Sequence, residues 1–181
     1  MFHAEVPELR KARGHWLRRD LIAWPSDDLP VGLNPESVEW RLHWSTDHVI
    51  DPREPEPVPW PNAGLTLDPD GIPAGIATEF PHLAHHLALR VDPARVPAEQ
   101  ALCGQLAISI HLPSGRLVTA GSLQVPGVID EVYAAAAQAR LGVSWSDSGP
   151  CLRLWAPTAQ RVRLLLWPAG ISLHDTPQSH P

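Results

Sequence analysis

The sequence predicts an all-β chain with one short helix, followed by the beginning of a second β-domain. Three observations carry that expectation. Proline accounts for 21 of the 181 residues, against an average usage of about 5%. Because proline has no N–H to donate and breaks helix interiors, a folded chain this rich in it consists of short strands and many turns. Clean period-two alternation appears in residues 38–45 and 105–112, the pattern of strands with one face buried. Only residues 130–140 read convincingly as a helix.

Taken in order, residues 1–12 form an N-terminal extension. HWLRRDLIAWP, residues 15–25, is a Trp-rich strand-like stretch stopped by Pro25, and SDDLPVGLNPES, residues 26–37, is turn chemistry throughout. In residues 38–45, Val38, Trp40, Leu42 and Trp44 share one face, and Glu39, Arg41, His43 and Ser45 share the other. The first set predicts a core role for both indoles. Residues 51–63 carry five prolines, which excludes a central strand there. LTLDPDGIP, residues 65–73, ends in an Asp-Pro-Asp-Gly turn, and residues 75–91 form an ambiguous apolar stretch in which Pro81 limits any long helix.

In the second alternating stretch Leu106, Ile108, Ile110 and Leu112 face one way, while Ala107, Ser109 and His111 face the other. PSGR, residues 113–116, turns the chain, and residues 116–121 pair back as a hairpin. The expected helix over 130–140 takes Asp130 as its N-cap and Gly142 just past its end. From Gly149 a new pattern begins. Leu152 and Leu154 alternate, a turn follows, and Val162, Leu164 and Leu166 alternate again. Two strands are marginal by themselves, so residues 149–170 read as a truncated start of a second β-domain, and residues 171–181 as a disordered tail.

Formal net charge is −6, with no basic stripe of the kind that nucleic acid requires. No apolar run approaches the roughly 20 residues of a membrane-spanning helix. Residues 1–24 lack the charged–apolar–small order of a signal peptide, which leaves the compartment open between cytoplasmic and secreted. Cys103 and Cys151 show no CxxC spacing and are expected as free thiols. Among the ten histidines, His82, His85 and His86 lie closest in sequence, with His43 and His111 elsewhere. Without HExxH or a nearby Cys partner they are expected to be packed or solvated, and no metal or cofactor is predicted. Nor is there a GxSxG, P-loop or GxGxxG sequence. Trp60 and Trp145 sit in irregular Pro-rich and Ser-rich surroundings, where an indole could stack on a sugar ring.

Residues 104–137, GQLAISIHLPSGRLVTAGSLQVPGVIDEVYAAAA, resemble a stretch of the pullulanase-type α-1,6-glucosidases. The likeness is densest over Gln124, Val125, Pro126, Gly127, Val128, Ile129, Asp130, Glu131, Val132 and Tyr133. LRLWAPTAQRVRLLLW, residues 152–167, is similar to the opening of carbohydrate-binding module family 48, with its Leu-Trp-Ala-Pro-Thr-Ala signature at residues 154–159. Upstream, HWLRRDLIAWP, WRLHWS and EFPHLAHHLALRV follow the order of that family's markers. The likeness covers residues 13–168. It departs at Ala120, Gly121 and Ser122, at Cys103, and after Gly170.

The resemblance implies an immunoglobulin or fibronectin type III-like β-sandwich over residues 13–148, then the start of the family 48 module. It implies an accessory role in an enzyme that hydrolyses α-1,6-glucosidic branch points of pullulan, amylopectin or glycogen. A stand-alone α-glucan-binding module is the alternative. Implied partners are an α-glucan such as starch, glycogen or pullulan, and a catalytic barrel bound intramolecularly. No nucleic acid or membrane partner is expected. That barrel alone needs about 250 residues. Retaining hydrolysis needs two carboxylates about 5–5.5 Å apart. The acidic pairs Asp27–Asp28, Asp68–Asp70 and Asp130–Glu131 sit instead in turn or cap contexts, so no catalytic residue is expected in this chain.

Overall fold

The computed structural model describes residues 7–54, 56–167 and 178–180. The chain divides into two compact units, Met1–Ala139 and Arg140–Pro181.

Seven strands build the first unit: β1 (Ala12–Arg18), β2 (Leu21–Trp24), β3 (Glu39–Ser45), β4 (Asn62–Asp68), β5 (Leu87–Arg90), β6 (Gln105–His111) and β7 (Leu117–Gln124). They close into a ring in the order β1-β2-β5-β4-β3-β6-β7. Strands β1-β2-β5-β4 form one flank and β3-β6-β7 the other. β4 also pairs with β3, so the ladders run on continuously instead of stopping at two separate sheets. Every pairing is antiparallel except β1 with β7, where Ala12 faces Ser122 and His15 faces Gln124 in parallel.

The two alternating stretches of the sequence are neighbouring strands of this ring. β3 and β6 pair over their full lengths, from Glu39 opposite His111 to Ser45 opposite Gln105. Trp40, Leu42 and Trp44 join Leu106, Ile108 and Ile110 in the main core. Trp16, Ile22 and Trp24 enter the same core from β1 and β2, and Leu89 from β5. Trp24 meets Trp40 edge-on, with ring centroids 6.1 Å apart, a geometry that adds about 0.5–1.5 kcal/mol beyond area burial. The Trp40 indole N–H donates to the Pro35 carbonyl at 3.0 Å. Those of Trp16 and Trp24 are buried without an acceptor, which costs about 1–3 kcal/mol each.

Three short α-helices occur among the described residues, where one was expected: α1 (Ala74–Glu79), α2 (Ala98–Ala101) and α3 (Pro126–Val132). The expected helix over 130–140 is therefore displaced. It starts at Pro126, since proline's fixed φ and missing N–H suit the first helical turn. Asp130 lies inside α3 and does not cap it. Past Tyr133 the chain tightens into a 3-10 segment, Ala134–Gln138. α3 packs on β1 so closely that a Cβ at Gly127 would lie 2.9 Å from the Leu17 carbonyl oxygen.

The second unit holds two strand pairs. β8 (Gly142–Ser146) pairs antiparallel with β9 (Gly149–Arg153), and β10 (Leu164–Leu166) with β11 (Gln178–His180). β8 thus pairs across the 148/149 boundary expected from the sequence. Of the expected disordered tail, residues 171–177 and 181 lie outside the described residues. Gln178–His180 is a strand instead, because the backbone groups of β10 need hydrogen-bond partners and this segment supplies them.

Candidate functional site

The face of β3 that alternation leaves away from the main core carries Glu39, Arg41, His43 and Ser45, and that of β6 carries Ser109 and His111. Such a face ordinarily meets water. Here a sixteen-residue connection, 46–61, runs from β3 to β4 and lies over it. Its prolines prevent it from forming a ladder of its own. Instead Ile50 and Trp60 bury against Leu9, Ala107 and Ala120 as a second, smaller core. The Ile50 N–H donates to Gln105 Oε1 at 2.9 Å, and Arg41 reaches Glu56 at 2.7 Å. Trp44 N–H donates to the Pro61 carbonyl at 3.2 Å.

Beneath the loop His43, Ser109 and His111 are all buried. The Trp60 indole N–H donates to His43 Nδ1 at 3.1 Å. That bond leaves the proton of neutral His43 on Nε2, which lies 2.7 Å from Ser109 Oγ. Ser109 Oγ is 2.9 Å from His111 Nε2, and His111 Nδ1 is 3.2 Å from the Gly115 carbonyl oxygen. A carbonyl only accepts, so in its neutral form His111 carries its proton on Nδ1 and accepts from the Ser109 hydroxyl. Burial, and then the charges of His111 and Arg41, push the His43 pKa down to about 4. His43 is consequently neutral at pH 7. A cleft of about 420 Å³ opens beside this row, walled by Arg41, His43, Arg53, Glu54, Glu56 and His111 among others. The alternation pattern had marked these polar positions, but it cannot reveal that a distant proline-rich loop covers them.

Of the two stacking candidates, Trp60 is only 3% exposed. It has no open face for a sugar, because its ring is the anchor of the loop and its N–H is engaged by His43. Trp145 is 78% exposed on β8. Cross-strand register sets Val143 opposite Leu152 and Trp145 opposite Pro150, giving the β8–β9 hairpin one apolar face.

One carboxylate of each acidic pair is held by a structural partner. Asp28 accepts from Arg13 at 2.8 Å. Asp68 accepts from the Asp70 N–H at 3.0 Å and from Arg90 at 2.8 Å, and these bonds, the first above all, hold its carboxyl below the usual range. Glu131 accepts from the Arg19 N–H at 2.5 Å. His82 and His86 flank His15 edge-on, each with centroids 6.0 Å away. Burial lowers the pKa of both His15 and His86. Among the described residues no group of three or more His, Cys, Asp or Glu side chains could hold a metal ion, and Cys103 and Cys151 are free thiols. No described helix is long and apolar enough to cross a membrane.

Residues 11–131 match the family described as "Pullulanase N2 domain". Over 161 residues the chain is 29% identical to the pullulanase of Klebsiella pneumoniae, covering 87% of this chain and 14% of that protein. It is 31% identical over 162 residues to "Pullulanase 1, chloroplastic" of Arabidopsis thaliana, covering 86% of this chain and 15% of the relative. Among solved structures, the maltotriose complex of PulA from Klebsiella pneumoniae superposes with a TM-score of 0.76 at 30% identity, over 94% of this chain and 17% of that one. The apo pullulanase of the same organism gives 0.74 at 29% identity, over 94% and 17%. The chain spans about one seventh of the length of these curated relatives. With a family match over most of the chain and a shared β-rich fold, this protein belongs to the pullulanase N2 domain family and carries a pullulanase N-terminal domain.

Proposed function

We propose that this chain is a non-catalytic accessory domain of a pullulanase-type enzyme, one that hydrolyses α-1,6-glucosidic branch points in pullulan, amylopectin or glycogen. The observation that carries the reading is the family match over residues 11–131. The engagement of one carboxylate in each acidic pair by a structural partner supports the lack of catalytic carboxylates. In this reading the seven strands form an immunoglobulin-type sandwich. The grouping of β1-β2-β5-β4 against β3-β6-β7 supports it, since those are the two sheets of that fold's constant-type topology. Residues 149–170 open a family 48 module, and the pairing of β8 with β9 argues for counting residues from 140 onward with it. The domain braces a catalytic barrel in the same enzyme.

Binding of α-glucan is the second reading, favoured by the exposure of Trp145 and by the maltotriose bound to the Klebsiella pneumoniae relative. Affinity electrophoresis of the full chain in pullulan and amylopectin gels separates the two. If the chain stacks on glucan through Trp145, its migration is retarded and Trp145→Ala weakens binding roughly tenfold. Migration unretarded beside a retarded control leaves only the structural role. New reducing ends released from pullulan by the purified chain would overturn the non-catalytic reading.

A further inference from the structure

The row of hydrogen bonds under the 46–61 loop has a direction. Trp60 N–H donates to His43 Nδ1, His43 Nε2–H to Ser109, the Ser109 hydroxyl to His111 Nε2, and His111 Nδ1–H to the Gly115 carbonyl. Both ends are fixed, because an indole N–H only donates and a carbonyl only accepts. Each imidazole is therefore confined to one tautomer, and the two tautomers are opposite. We propose that this one-way row is a clasp that holds the proline-rich loop on the β3–β6 face and lets it go when His43 takes up a proton.

A proton arriving at Nδ1 of His43 turns an acceptor into a donor facing the Trp60 N–H. Two donors then oppose each other in a buried space. The charged surroundings oppose the proton as well. Arg41 lies on the same face of β3, and His111 lies on the same face of β6, opposite Glu39. From the loop come Arg53, Glu54 and Glu56, and Arg53 and Glu56 are already bonded to Asp51 and Arg41 respectively. Asn62, opposite His43 on β4, carries no charge. Holding His43 neutral is thus a property of the whole enclosure, and the loop that makes the enclosure is held by the neutral ring. The clasp and its cover depend on each other.

Imidazole and indole ¹⁵N NMR of the full chain tests this. At pH 7 His43 is expected as the Nε2–H tautomer and His111 as the Nδ1–H tautomer. On acidification His43 titrates near pH 4. The Trp60 N–H resonance moves at that midpoint, and the protection factors of the loop amides, taken against their intrinsic exchange rates at each pH, fall with it. Trp60→Phe keeps the apolar ring and removes the donor. Its loop amides exchange about fivefold faster at pH 7, the effect of one lost hydrogen bond, and its His43 titrates at higher pH. An Nδ1–H tautomer at His43, an ordinary midpoint near 6.5, or protonation that leaves the Trp60 N–H unmoved would each overturn the clasp.

Discussion

At Gly104, where the loop before β6 begins to pair, an added Cβ would overlap the Ser45 carbonyl oxygen and lie 2.6 Å from its carbonyl carbon. Gly64, exposed on β4, has nothing within 4 Å. Gly104→Ala therefore forces the backbones of two paired strands apart and is expected to cost about 1–3 kcal/mol. Gly64→Ala leaves stability unchanged or raises it by up to about 1 kcal/mol, because a strand glycine surrenders more chain entropy than alanine. Urea midpoints of the two variants check the contrast, and equal losses would refute it. His43 acts at the same scale through pH. Its folded pKa of about 4 lies below its usual 6.5, so between those values the unfolded chain binds more protons. The stability it contributes is complete above pH 6.5 and declines as pH falls towards 4. The lowered pKa values of His15 and His86 act with the same sign. Stability measured by urea unfolding should fall between pH 7 and pH 4, and a flat profile would remove the histidine account.

Elements differ in how firmly they are held. β3 and β6 have a strand on each side and bury residues on both faces, whereas every residue of β8 is exposed and its sheet has only two strands. Two-stranded ladders are marginal in water. Native-state hydrogen exchange should find the β3 and β6 amides opening only with global unfolding, and those of β8 and β9 opening locally with far lower free energy. Uniform protection across both would contradict this. The contrast also shows what could be read in the sequence. Alternation identified β3 and β6 and the face that each buries, because a period of two is written locally. The coverage of their second face depends on Ile50 and Trp60 folding back from a loop, which no local pattern records. The burial of Trp60, a stacking candidate by its surroundings, is hidden for the same reason, since a proline-rich neighbourhood ordinarily means exposure. α3 begins earlier than the Asp130 cap suggests because Pro126 is itself a first-turn residue.

Across the whole molecule, apolar surface is unevenly distributed. Of the eleven large apolar side chains exposed among the described residues, ten lie between Leu141 and Leu166, and the other is Val31. Exposed apolar side chains concentrated in one stretch of chain favour binding or association. The full chain is expected to bind a hydrophobic dye and to self-associate with rising concentration. Exchanging the cross-strand pair Val143 and Leu152 for serine should lower both effects and leave the near-ultraviolet circular dichroism of the buried indoles intact. A non-associating, dye-silent parent would count against that view. The first unit differs in how its ends are joined. Its first and last strands lie side by side and parallel, with Ala12 beside Ser122 and His15 beside Gln124. Tension applied through the residues before β1 and after β7 would pull these neighbours in opposite directions along their length. The bonds between them would be loaded together in shear instead of being unzipped one by one, so the parallel pair would resist such a pull more than a hairpin opened from its end.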